Sequence, residues 1–326
     1  MIAKKICVIS FDHWDYDNHI VTALQKKGIE SVHIKIGGFK HTSSWVQIKN
    51  TFSKIFLNKN PKKTKRQEFI LETLRKIGKQ DQILVISPED INLKYHLEIK
   101  KYTSRYIAYL YDSVARSPVE HLLEGIFDTV FSFDDKDIEK YHFEKTTNYI
   151  YLDKKPLDPR KTKFQAFYLA SFDKRLGFLL EIAKKLDEIG IRYLFIVIGN
   201  KNWLKKLFSF FRNNSFIIYR RNRIKQEEIG NYYSQTNIIF DLVRQNQTGL
   251  SFRIFEAMAY QKKLITNNPS VANYDFYNPN NIMIISETNL DFKADFFTTA
   301  YEAIPEYIYN QYTLEHWVTV VFGLKQ

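Results

Sequence analysis

FQAFYLASFDKRLGFLLEIAKKLDEIGIRYLFIVIG (164–199) decides the reading of this chain. Its opening, FQAFYLAS (164–171), is an apolar run of strand length. FDKRLGFLLEIAKKLDEIG (172–190) then sets apolar residues at helical spacing and closes on Gly190, the residue type that ends helices most easily. YLFIVIG (193–199) is a second strand. A helix between two strands carries the chain back along the sheet, so the strands run parallel through a right-handed crossover.

The same alternation extends outward. KICVIS (5–10), SVHIKI (31–36), QILVIS (82–87), YIAYLY (106–111) and TVFSF (129–133) are predicted strands of the first half. Amphipathic segments lie near 17–27, 43–57, 66–78, 90–101 and 135–142. Beyond residue 199, the strands are SFIIY (215–219), NIIFDLV (237–243), KLIT (263–266) and IMIIS (282–286), and TLEHWVTVVFGL (313–324) reads as a last helix. YLDKKPLDPRKTK (151–163), with two prolines and seven charges, interrupts the pattern as a linker. The expectation is an α/β protein of two Rossmann-like parallel-sheet domains facing a cleft, 1–152 and 160–311, with the final helix 312–326 packing back on the first. Ligands of such sheets bind at the carboxyl ends of the strands.

Composition agrees with two ordinary folded domains. The 326 residues are 44% hydrophobic and 26% charged, which excludes disorder. One cysteine, Cys7, rules out an internal disulfide and a cysteine metal cluster, and a reducing cytoplasm is expected. MIAKKICVIS is too short an apolar run for a signal peptide, and no run approaches membrane-spanning length. The net charge of +12 is uneven: Ser31–Gln67 holds nine Lys or Arg and no acid, with Phe39, Trp45, Phe52 and Phe56 among them. That segment is either a solvated basic face or a contact for a polyanion, a membrane surface or a nucleic acid.

Chemistry concentrates at two strand-to-helix junctions of the second half. The loop after NIIFDLV runs into GLSFRIFEAMAYQKKLIT (249–266). The amides of Thr248, Gly249, Leu250 and Ser251 open a helix there, an arrangement that attracts anions. Arg253 adds a guanidinium fork for phosphate. Glu256 follows on the same face and can accept two hydrogen bonds from a vicinal diol. The plainer reading is an Arg/Glu helix pair with Phe252, Ile254, Phe255 and Met258 as core. At the other junction, ASFDKR, Lys174 and Arg175 start a helix that Asp173 would cap.

With these residues in view, 164–286 resembles the nucleotide-sugar domain of GT-B glycosyltransferases. It is most similar to the group-1 (GT4-like) branch and its relatives in bacterial capsule and lipopolysaccharide clusters. The shared piece is E-A-x-A, here Glu256-Ala257-Met258-Ala259, followed by Tyr260-Gln261-Lys262-Lys263-Leu264-Ile265. Gln261 and Lys263 replace the family's glycine and proline, and Thr248 stands where many members carry a second glutamate. The resemblance implies that Glu256 holds a ribose and that Lys174 and Arg175 bind a diphosphate. It further implies metal-independent, retaining transfer of a sugar from a nucleotide-sugar co-substrate, with no cofactor, to a growing surface glycan. The enzyme would be cytoplasmic, peripheral on the inner face of the cytoplasmic membrane through 31–67, and would bind no nucleic acid. The alternatives are a nucleotide-sugar epimerase of the same fold and a non-catalytic nucleic-acid-binding protein.

In the first half, Asp12, His13, Asp15, Asp17 and His19 follow the first strand. Asp12 or His13 could deprotonate an acceptor hydroxyl if the enzyme inverts, while Asp17 reads as a helix cap. Asp112 follows the fourth strand in YLYDS and is the third catalytic candidate. Asp135 and Asp137 make a D-x-D, but acids opening a helix are capping residues, and no metal is expected. His96, His121 and His142 lack ligand spacing.

Overall fold

β-branched and aromatic runs that are apolar on both faces can only be buried in a sheet covered on both sides, and the fold builds two such sheets. The computed structural model describes residues 4–12, 16–38, 61–157, 162–199, 216–244 and 248–325. The chain divides into two compact units, Met1–Thr147 with Thr313–Gln326, and Asn148–Tyr312. Among the described residues no helix is long and apolar enough to cross a membrane.

The first unit runs β1 (Lys5–Ser10), α1 (Asp17–Lys26), β2 (Glu30–Lys35), α2 (Pro61–Ile77), β3 (Gln80–Ile86), α3 (Leu93–Lys100) and β4 (Thr103–Tyr109). It continues with α4 (Glu120–Leu123), β5 (Thr129–Ser132), α5 (Asp135–Tyr141) and β6 (Glu144–Lys145). The sheet order is β2-β1-β3-β4-β5-β6, every pair parallel. The helix expected near 43–57 lies outside the described residues. α2 starts at Pro61, earlier than the apolar periodicity suggests, because a proline costs nothing in a first helical turn.

The second unit runs β7 (Phe164–Ser171), α6 (Leu176–Glu188), β8 (Tyr193–Ile198), β9 (Ile217–Arg220), α7 (Gln226–Ser234) and β10 (Thr236–Asp241). Then come α8 (Phe252–Ala259), β11 (Lys263–Thr266), β12 (Ile282–Ile284), α9 (Ala294–Thr298) and α10 (Glu306–Gln311). Its order is β12-β11-β10-β7-β8-β9, again all parallel. Leu179, Ile182 and Leu186 of α6 pack on one face with Tyr168, Phe195 and Phe240. Ile254, Phe255 and Met258 of α8 pack on the other with Phe167, Ile196 and Ile239. The described residues of 151–163 form neither helix nor strand. Last, α11 (Leu314–Phe322) returns to the first unit, where Trp317 Nε1 donates to Thr147 O at 3.0 Å and Gln82 Nε2 donates to Phe322 O at 2.9 Å.

The strand orders reverse direction between β1 and β3 in one sheet and between β7 and β10 in the other. At each reversal the loops leave to opposite sides and open a crevice at the carboxyl edge, where ligands of such sheets bind.

His96 is a core residue. It is fully buried on α3, bonded to the Tyr106 hydroxyl at 2.7 Å and the Pro88 carbonyl at 3.0 Å. Burial pushes its pKa down to about 4. The unfolded chain therefore takes up the proton first, so this group's contribution is complete above the ordinary histidine range and is lost as pH falls toward 4. In denaturant unfolding between pH 6.5 and 4, His96→Gln should flatten the pH slope by up to about 1.4 kcal/mol per unit; an unchanged slope contradicts this account.

Candidate functional site

Two arginines clasp the crevice between β7 and β10. Arg175, just after β7, donates Nη1 to Leu242 O at the end of β10. Arg253, on α8, donates Nη2 back to Leu169 O of β7 at 2.7 Å. Each fork is held by its own carboxylate. Asp173 accepts from Arg175 Nε at 2.9 Å and Nη2 at 2.6 Å. Asp241, 1% exposed, accepts from Arg253 Nη1 at 2.8 Å through Oδ1. Burial pushes the Asp173 carboxyl up, but the bonds and charge of Arg175, with the charge of Arg244, outweigh it and hold the group below its usual range. Arg253 also lies over the Tyr168 ring at 5.4 Å. Lys174 is exposed. Lys174, Arg175, Arg244 and Arg253 against Asp173, Asp241 and Glu256 leave this edge with one positive charge in excess.

Ser251 places the helix on the clasp. Its Oγ caps α8 by accepting from Arg253 N at 3.2 Å and donates to Asp241 Oδ1 at 2.8 Å. The described residues on either side of 245–247 are held by side chains that follow β11. Asn268 Nδ2 donates to Thr248 O and Gly249 O at 3.2 and 3.1 Å, and Asn267 Oδ1 accepts from Val243 N at 2.7 Å. Leu250 O accepts from Asn148 Nδ2 at 2.9 Å. With these carbonyls held by side chains, the course of 248–250 into α8 is set without regular structure.

Glu256, one turn into α8, is 4% exposed. Its Oε1 accepts from Tyr151 Oη at 2.5 Å and Gln226 Nε2 at 3.2 Å, and its Oε2 from Tyr233 Oη at 2.7 Å. Neutral donors thus satisfy a buried carboxylate that faces the same edge as the clasp. Nothing local in the sequence ties Tyr151 to this group, since it falls in the segment read as a linker.

At the carboxyl edge of the first sheet, Asp12 and Ser87 adopt left-handed backbone, φ 45° and 55°, where β1 and β3 end. Such strain in non-glycine residues gathers at functional sites. Asp12 is buried; its Oδ1 accepts from Asp17 N at 3.0 Å and its Oδ2 lies 3.2 Å from Lys35 Nζ. Asp17 is buried rather than a plain cap and accepts from the Tyr111 hydroxyl. Burial pushes its pKa up to about 6, against hydrogen bonds from Ser10 and Tyr111. Glu89, after β3, is pushed up to about 7 by burial and the charges of Asp90 and Asp112, with a bond from Ser117 opposing. Asp112 pairs with Arg116 at 2.6 Å, and the next helix starts only at Glu120. His13 lies outside the described residues. The acids opening α5 have structural partners: Asp134 caps the helix, and of the D-x-D pair Asp135 pairs with Lys145 at 2.6 Å and Asp137 accepts from Val114 N at 2.7 Å.

Residues 175–306 match the family model described as glycosyl transferase-like, and that span contains the clasp arginines and Glu256. The second unit carries a glycosyltransferase-like domain. A comparison with curated protein sequences finds no match. Among solved structures the chain is similar to the lipopolysaccharide outer core galactosyltransferase WaaB, with 12% identity, a TM-score of 0.55, and 98% of this chain and 99% of that one covered. It is also similar to a trehalose-6-phosphate synthase studied for glycosyl transfer with retention, with 11% identity, a TM-score of 0.62 and 98% of each chain covered. S. aureus MnaA with UDP matches at 14% identity and a TM-score of 0.52 over 97% and 94%. These likenesses make the fold GT-B.

The clasp predicts a cost. Asp241→Ala leaves Arg253 without its carboxylate and Ser251 without its acceptor, so it should lower unfolding free energy by about 3 kcal/mol or more. Ser251→Ala should cost only about 1 kcal/mol. Denaturant unfolding of both variants measures the difference, and equal costs would remove the clasp from the account.

Proposed function

We propose that this glycosyltransferase-like domain moves a sugar from a nucleotide-sugar to a growing surface glycan, without a metal and with retention at the anomeric carbon. The observation that carries the reading is the overlap of the matched span, 175–306, with a positive crevice at the strand-order reversal. A nucleotide would lie across that crevice. The amides of 248–251, Lys174, Arg175 and Arg253 serve the leaving diphosphate, the two arginines also fixing the floor through Asp173 and Asp241. Glu256 takes the ribose. Retention and the choice of UDP as first nucleotide to test find support in the synthase and in MnaA respectively; a surface-glycan acceptor finds it in WaaB. Acceptor binding is assigned to the carboxyl edge of the first sheet, with Asp12, His13 and Asp112 as the reacting candidates. The displaced pKa values of Asp17 and Glu89 at that edge support the assignment, because perturbed carboxyls cluster at functional sites.

Thermal unfolding with UDP, GDP, ADP and CMP, repeated on Glu256→Ala, tests the donor site. One nucleotide should raise the melting temperature of the wild type, and the rise should be largely lost in the variant. No rise with any of the four ends the donor-site reading; an equal rise in both removes Glu256 from it.

The basic stretch 31–67 is proposed to hold the enzyme at an anionic membrane surface. Part of it has internal work: Lys35 pairs with Asp12, Lys63 Nζ donates to Glu89 O at 3.4 Å, and Arg66 lies over the Phe11 ring at 5.2 Å. Lys62 and Lys65 are exposed on α2, and Leu93 and Leu97 are 41% and 48% exposed on the neighbouring α3. The pair Lys62→Glu and Lys65→Glu should weaken sedimentation with phosphatidylserine vesicles while leaving turnover on a soluble acceptor intact. Unchanged sedimentation would confine any membrane contact to other residues.

A further inference from the structure

The two oxygens of Glu256 are held in different ways. Oε2 is tied to the framework. Its donor, Tyr233, is 2% exposed on α7 and packs edge-on against Phe167 and Tyr260 at 5.8 and 5.3 Å. Oε1 is held from the periphery. Tyr151 reaches it from a segment with no regular structure, half-buried, with its ring edge-on to Phe252 at 6.0 Å. Gln226, the first residue of α7, reaches the same oxygen and also donates to the Tyr151 hydroxyl. A buried carboxylate short of donors is costly, and here two neutral donors, a hydroxyl and an amide, converge on the outer oxygen of Glu256.

One of the two, the Tyr151 hydroxyl, is a neutral donor that a ribose hydroxyl can replace. Resting on the donor-site reading above, we propose that Tyr151 holds the ribose position on Glu256 in the unliganded protein and is the specificity-determining residue of that subsite. A nucleotide enters only by exchanging its own hydroxyl for the tyrosine's. A ribose can do so without leaving Oε1 short of donors. A sugar with neither ribose hydroxyl cannot, and a site built around a hydroxyl rejects such analogues strongly. Tyr151 therefore competes with the ligand, whereas Tyr233 prepares the carboxylate for it. The two tyrosines bond the same side chain and act on affinity with opposite signs.

Tyr151→Phe and Tyr233→Phe separate the roles, each keeping its ring. Calorimetric titration would use whichever of UDP, GDP, ADP or CMP stabilises the wild type most, beside its 2′,3′-dideoxy counterpart. Tyr151→Phe should tighten the ribonucleotide by about tenfold, the worth of one hydrogen bond to a charged group, and leave the dideoxy form unchanged. Tyr233→Phe should weaken the ribonucleotide. A Tyr151→Phe protein that binds the ribonucleotide no better, or that gains equally for both ligands, overturns the assignment, as does tighter binding by Tyr233→Phe. Absence of wild-type binding to all four nucleotides overturns the donor-site reading itself, so the two failures are distinguishable.

Discussion

The crossed arginine clasp is the constraint on which the second unit's edge depends. β7 and β10 are neighbours, yet their connections leave to opposite sides, so carbonyls at their ends lose the donors a continuing ladder would supply. Arg175 and Arg253 supply donors crosswise, each from the connection of one strand to the carbonyl end of the other. Neither fork could be held there without its aspartate, and Asp241 does a second job by accepting from Ser251, the cap of α8. The clasp thus fixes where the helix begins, and the helix fixes where Glu256 stands.

The carboxylates of the edge divide by the kind of donor they receive. Asp173 and Asp241 face guanidinium groups in short, charge-assisted bonds, which are strong and geometrically demanding. Glu256 receives hydroxyl and amide donors. Charged pairs of the first kind build the floor of the crevice, and a set of the second kind can be traded for an incoming hydroxyl at little net change. The arginine that looked from sequence like a phosphate fork is therefore also engaged in architecture, and the exposed cations beside it are Lys174 and Arg244.

Most of the fold was legible because parallel strands buried on both faces read as unbroken apolar runs. The strand at Glu144–Lys145 was not, since two exposed charged residues carry no such signal. At the site, residue types were legible and partners were not. Arg253 and Glu256 stand out on their helix, but Asp241 hides at the end of an apolar strand, and Tyr151 lies 105 residues from the carboxylate it bonds. Spacing carries information over one or two helical turns; contacts between strand ends lie beyond it. The same limit applies in the first unit, where Asp17 looked like an ordinary cap until Tyr111, 94 residues away, was seen to reach it.

The return of the last helix has a consequence for how the protein is made. The second unit is one continuous stretch, Asn148–Tyr312, whereas the first is completed only by residues after it. During synthesis the second unit can close as soon as its own strands have left the ribosome. The first must wait, with the face of its sheet around Gln82 and Tyr109 uncovered, until Leu314–Phe322 emerges and Trp317 meets Tyr109 at 5.3 Å between ring centroids. The half made first is finished last, which makes it the half more sensitive to loss of Leu314–Phe322.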